Sequence, residues 1–303
     1  MNPETMNKDP MQWTVMPQGR YRVCGQTIEQ LPPGAYTCTT DPYGGHVFVR
    51  RDLQVDDLVD FPGSLPAQML DEIERFWTIG DRFRKYGFLH RRGYLLYGKQ
   101  GSGKSSLIHQ VISRSVAQAH VAFFCEEPDT FVECVRQFRA VEPERPMLCI
   151  FEDIDAIVQN NGDSALLQWL DGNHQVDKAV NIATTNYPEE LDRRIVSRPR
   201  RFDRILRIDS PDPRLRDAYL ARKVPDLSAQ QRKQWVEQTQ DLSFAALAEL
   251  IISVCCLGHD LNETVTLLKE LDAREPSSRE YQRQSSGRKP SRRRRGNGQE
   301  IPF

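Results

Sequence analysis

Apolar positions along the chain fall into two kinds of run. Gly93-Tyr94-Leu95-Leu96-Tyr97, His120 to Cys125, Met147-Leu148-Cys149-Ile150-Phe151 and Ile182-Ala183-Thr184-Thr185 are short and largely apolar. Such runs predict strands of a parallel sheet covered on both faces. Between the first two, residues 106–118 place Leu107, Val111, Ile112 and Val116 at helical spacing. Residues 65–88 read as a helical approach to the first strand. Pro211-Asp212-Pro213 interrupts the pattern. Beyond it Leu215, Tyr219, Trp235, Leu247, Ile251, Leu261, Val265 and Leu268 mark a helical region. Ahead of the core, Arg20 to Cys24, Gly34 to Cys38 and Gly45 to Arg50 are strand candidates separated by Pro- and Gly-rich turns. The expectation is an α/β fold, a parallel sheet flanked by helices. A β-rich N-terminal element over 1–64, a core over 65–210, a small helical lid over 211–272 and a tail over 273–303 complete it.

The candidate chemistry sits at strand ends. Gly98-Lys99-Gln100-Gly101-Ser102-Gly103-Lys104-Ser105 matches G-x-x-x-x-G-K-[ST], and it stands between a strand and a helix as that motif requires. Its backbone N–H groups can cradle phosphate oxygens beside a helix N-terminus. Lys104 would reach β- and γ-phosphates, and the Ser105 hydroxyl would hold Mg²⁺. The end of the Met147–Phe151 run carries Glu152-Asp153-Ile154-Asp155, acids that would repel one another without a cation nearby. The next ends in Asn186, an amide able to bond an attacking water or a γ-phosphate. Six arginines follow within residues 191–204.

In this order, the phosphate loop, acidic strand end, Thr184-Thr185-Asn186 and Arg198-Pro199-Arg200-Arg201-Phe202-Asp203 resemble the AAA family of ATPases over about residues 60–272. Arg91 to Gly98, Glu152 to Asp155 and Leu170-Asp171-Gly172 are similar to one branch. That branch includes the mitochondrial AAA chaperone that translocates the Rieske iron–sulfur protein. The resemblance implies ATP and Mg²⁺ as cofactors, with Gly98, Gly101, Ser102, Gly103, Lys104, Ser105 and Ser106 binding nucleotide. It implies Glu152 at the Mg²⁺-site acid and Asp153 at the water-activating acid, with Asn186 as sensor. Here the two acids are swapped relative to the usual order. It further implies Arg198 and Arg201 reaching into a neighbouring subunit of a homo-oligomeric ring of six or seven. An arginine delivered in trans is worth about 10³–10⁵ in rate. The family's habit implies remodelling of a protein or protein assembly.

Departures from the family pattern are specific. Lys99 and Gln100 replace paired prolines, and Arg200 replaces a glycine. After the second strand the chain reads Glu126-Glu127-Pro128-Asp129-Thr130, where many family unfoldases carry an aromatic–hydrophobic–Gly pore loop. No His-Glu-x-x-His string is present.

Composition narrows the classes. Net charge is −1 and no apolar run approaches the ~18 residues of a membrane span. The seven cysteines show no metal spacing and fit a reducing, cytoplasmic setting. Cys125, Cys134 and Cys149 read as buried thiols, and the Cys255-Cys256 pair reads as core packing. From Ala273 Ser, Gln, Gly and Arg dominate, with nine basic and three acidic side chains. Such a tail cannot build a core. Residues 274–295 could serve as an electrostatic arm for nucleic acid, making a nucleic-acid-coupled ATPase the second reading. A nucleotide-gated binding module with weak turnover is the third, suggested by the short Asp153. The end, Glu300-Ile301-Pro302-Phe303, resembles the C-terminal tip of bacterial single-stranded-DNA-binding proteins.

Overall fold

The computed structural model describes residues 12–16, 20–24, 27–41, 45–53, 65–171, 176–192, 195 and 200–273. Each apolar run becomes a strand: β5 (Arg91–Tyr97), β6 (Val121–Phe124), β7 (Met147–Phe151) and β8 (Ala179–Thr185). With β3 (Gly34–Thr40), β4 (His46–Arg51) and β9 (Arg204–Arg207) they form one seven-stranded sheet in the order β4-β3-β6-β7-β8-β5-β9. Every pairing is parallel except that of β4 with β3. β6 and β7 are buried along their whole length, which is why they read as unbroken apolar runs rather than alternating ones.

Alternate residues of these strands feed two separate cores. On one face α1 (Leu65–Thr78) and α3 (Lys104–Ala117) pack Met69, Ile73, Phe76, Ile108 and Ile112 against Leu96, Leu148 and Ile182. On the other, α4 (Pro128–Val141), α5 (Ile154–Asn161) and α6 (Ser164–Asp171) pack Phe131, Cys134, Ile154 and Trp169 against Phe123, Cys149 and Phe151. The short α2 (Gly80–Lys85) leads into β5.

The N-terminal expectation needs correction. β3 and β4 are not part of a separate N-terminal element, because β3 pairs with β6 and carries β4 with it into the core sheet. Ala35 and Tyr36 are buried in the two cores. Among the described strands, β1 (Gln12–Met16) and β2 (Arg20–Cys24) form a separate antiparallel pair. β1 lies ahead of the strand candidates read from the sequence, and β2 supplies its ladder.

The described residues from 210 to 273 belong to a second compact unit. Its helices are α7 (Pro213–Lys223), α8 (Ala229–Gln238), α9 (Phe244–Ile251) and α10 (Leu261–Ala273). Pro213 occupies the first turn of α7 and Asp212 caps it by accepting the Leu215 N–H at 2.9 Å. Ser228 and Gln231 close a capping box on α8. Leu220, Trp235, Leu247, Leu250 and Leu268 form the apolar centre of this unit. Cys255 and Cys256 are exposed, against the core-packing expectation. They lie in a π-helical turn, Ile252–Cys256, whose extra residue per turn rotates them off the packed face while Ser253 points inward.

Candidate functional site

The phosphate loop is held by close backbone approach. A Cβ on Gly98 would lie 2.1 Å from the Ile208 carbonyl oxygen, so only glycine passes there. Gly103 caps α3 with φ 102°, a left-handed conformation that glycine adopts without strain. The Lys104 side chain is buried and its ammonium donates to the Gly98 and Lys99 carbonyls, both at 2.8 Å. The Ser102 hydroxyl is buried with no hydrogen-bond partner in the protein. An orphaned buried hydroxyl in a glycine-rich loop just before a helix N-terminus suits a phosphate oxygen. Ser105 is exposed at the first turn of α3, where its hydroxyl could join a metal ion.

The acidic turn is tied to β8. Three consecutive β8-end residues each engage it. Thr184 Oγ1 accepts the Asp153 N–H at 3.0 Å, the Thr185 hydroxyl donates to Asp155 at 2.6 Å, and the Asn186 amide donates to Asp153 Oδ1 at 3.4 Å. Asp155 is thus held as a brace by the Thr185 hydroxyl. Asp153 sits at φ 47°, ψ 57°, left-handed for a non-glycine residue. Such strain costs about 1–3 kcal/mol and needs surroundings that enforce it. Burial raises the Asp153 carboxyl above the usual aspartate range; Asp155 and Glu152 add to this and Lys104 opposes it. A partly desolvated carboxylate beside an ammonium and an amide is suited to accept a proton from water. Glu152 faces Arg51, with 3.5 Å between guanidinium and carboxylate.

Residues 94–210 match the model of the ATPase family associated with various cellular activities (AAA). The chain carries an AAA ATPase domain. Its relatives include ATP-dependent zinc metalloprotease FtsH 2 of Sphaerobacter thermophilus, 31% identical over 81% of this chain and 38% of the relative. FtsH 3 of the same organism is 32% identical over 69% of this chain and 44% of the relative. FtsH of Marinobacter nauticus is 29% identical over 67% of this chain and 35% of the relative. The chain therefore spans less than half the length of these relatives.

Of the two arginines expected to reach a neighbouring subunit, Arg201 points inward in the single protomer. It is 3% exposed, and its guanidinium grips both oxygens of Asp171 at 2.6 and 2.9 Å. A fork on a carboxylate is a strong, oriented pair, and burial keeps water from competing for it. Arg198 lies outside the described residues. Arg201→Ala is expected to destabilise the protomer by about 2–3 kcal/mol, below the usual cost of breaking a fully buried pair because Asp171 is partly exposed. Denaturant melts of the variant check this; a midpoint matching the parent chain would contradict it.

Arg200 adopts φ 76° and lies with its guanidinium 5.5 Å from the Phe88 ring centre. The left-handed backbone accounts for the family's glycine here; the arginine accepts the strain. The connection from β6 to α4 is only Cys125 to Glu127, with Glu126 and Glu127 exposed, so no pore loop fits at that point. Sequence reading missed Arg51 as a neighbour of the acidic turn, since nothing in a solitary arginine on an edge strand signals it. It also missed Thr184 and Thr185 as bracing groups. Among the described residues, no helix is long and apolar enough to cross a membrane.

Proposed function

We propose that this chain is a Mg²⁺-dependent ATP hydrolase of a homo-oligomeric ring of six or seven subunits, and that its turnover remodels a protein or protein assembly. The observation that carries the proposal is the Asn186 amide at the end of β8 donating to Asp153 at the end of β7, beside the phosphate loop that follows the neighbouring β5 with its buried, unpartnered Ser102 hydroxyl. ATP brings a transferable γ-phosphoryl group, and Mg²⁺ spreads the negative charge that builds on it. Gly98, Gly101, Ser102 and Gly103 wrap the phosphates with backbone N–H groups, and Lys104 and Ser106 complete the cradle. Ser105 and Glu152 would hold the metal. Asp153 accepts the proton of the attacking water, and the Asn186 amide fixes that water's direction. Arg198 of a second copy supplies the trans charge; the buried Arg201 supports its own protomer instead. The branch likeness in Arg91 to Gly98, the Glu152-Asp153 order and Leu170-Asp171 favours a protein client, as does the ATP-dependent protease title of the relatives. Proteolysis is not proposed for these 303 residues, which contain no His-Glu-x-x-His.

The basic stretch 274–295 favours a second reading, coupling to nucleic acid. Hydrolysis measured with and without single-stranded DNA, and with unfolded model proteins, separates the two. Stimulation by protein alone is expected. Stimulation by DNA that vanishes on removal of residues 274–303 would put the second reading first.

A further inference from the structure

Arg51 lies outside the matched AAA residues, on β4 at the sheet's edge. β4 is in the sheet only because β3 carries it there, with Arg51 in register opposite Ala35. The Arg51 guanidinium sits 4.1 Å from the centre of the Phe124 ring. From that platform one of its nitrogens reaches 3.5 Å from Glu152 Oε2. A planar guanidinium on an aromatic face has little freedom to turn, so its free edge is aimed. Both groups border one cavity of about 290 Å³, together with Cys125, Glu126, Asp153 and Asn160.

We propose that Arg51 is a positioning residue for Glu152 in the ATPase reaction. Glu152 stands where the family usually has the shorter aspartate, and its extra methylene adds a rotor that must be fixed. Arg51 fixes it, from a strand the AAA core does not itself supply. The pair is too exposed, at 39% and 23%, to be explained as a contributor to stability. Its cation also offsets the mutual repulsion of Glu152 and Asp153. Residues before the AAA match are thereby linked to the metal-binding acid, and movement of the β3–β4 edge would alter turnover.

This inference rests on the proposed ATPase reading, and the test separates the two. Arg51→Met keeps a stem on Phe124 and removes the charge; Arg51→Lys keeps the charge without the fork. Groups that orient a metal-site ligand typically matter about 10–100-fold; half-exposure lowers the expected loss to about fivefold in kcat for Arg51→Met. The KM for ATP rises as well, and Arg51→Lys recovers part of both losses. A second readout is Mg²⁺-supported binding of a fluorescent ATP analogue, measured in a cycle with Glu152→Gln. Arg51→Met shifts this affinity in the Glu152 chain and not in the Glu152→Gln chain. Equal shifts in both backgrounds, or an Arg51→Met chain identical to the parent in kcat and binding, would overturn the proposal. Failure of the parent chain to bind the analogue or hydrolyse ATP would instead overturn the ATPase reading itself.

Discussion

Replacing Asp153 with asparagine is expected to abolish most turnover while making the protein harder to unfold. Removal of a positioned base typically costs about 10²–10⁴ in rate. The Asn186 contact and the β8 brace can survive, since the Thr184 bond goes to the backbone N–H of residue 153. Nucleotide binding should therefore persist. Stability moves the other way for two reasons. Asparagine tolerates the left-handed backbone found at residue 153. The raised carboxyl of Asp153 also means that its ionised form opposes folding. The sign follows directly: the folded chain holds the Asp153 proton more tightly than the unfolded chain does. The resulting penalty is absent below the ordinary aspartate pKa of about 3.9 and grows as pH rises through the raised folded value. The variant's gain in Tm should be full near neutral pH and shrink as the medium is acidified toward that range. Calorimetry over a pH series checks it. A lowered Tm at neutral pH would mean that Asp153 is held by contacts the carboxylate alone can make.

Gly98→Ala is expected to cost a large part of the domain's stability. The new Cβ would sit 2.1 Å from the Ile208 carbonyl oxygen. Ile208 cannot simply retreat, because its N–H donates to the Tyr97 carbonyl at 2.8 Å, continuing the β5–β9 ladder. Forced overpacking costs about 1–3 kcal/mol and occasionally more. At the upper end that lowers Tm by roughly 6–12 °C for a unit of this size. The shift falls at the start of the phosphate loop, so nucleotide affinity should drop as well. A variant that melts with the parent and binds nucleotide normally would show that β9 can slide away from β5 without loss.

The parallel core was readable because burial on both faces leaves little ambiguity in Met147–Phe151 or Gly93–Tyr97. The phosphate loop was readable because a Lys-Ser pair after a glycine has no packing use. The attachment of β3 and β4 was not, because strand pairing across a long sequence gap leaves no periodic trace in either strand. For the same reason Arg51 looked like an ordinary edge-strand cation until β4 brought it to Glu152. The Arg201–Asp171 pair was not legible because the motif gives the arginine's identity without its partner, which lies thirty residues earlier. Cys255 and Cys256 fit a helical apolar pattern that one π-helical turn put out of phase. Asp153 and Asn186 were legible as separate strand ends, but their direct contact depends on a left-handed residue that no propensity scale would place there.

The most direct test of the account is steady-state ATP hydrolysis by the full chain over a range of protein concentrations, with Lys104→Ala as the blank. The account predicts turnover on the order of 1 s⁻¹ or faster at high concentration. Turnover per protomer should rise as the chain assembles, and it should be lost in Lys104→Ala. Hydrolysis that persists in Lys104→Ala, or a rate per protomer that does not change with concentration, would contradict it.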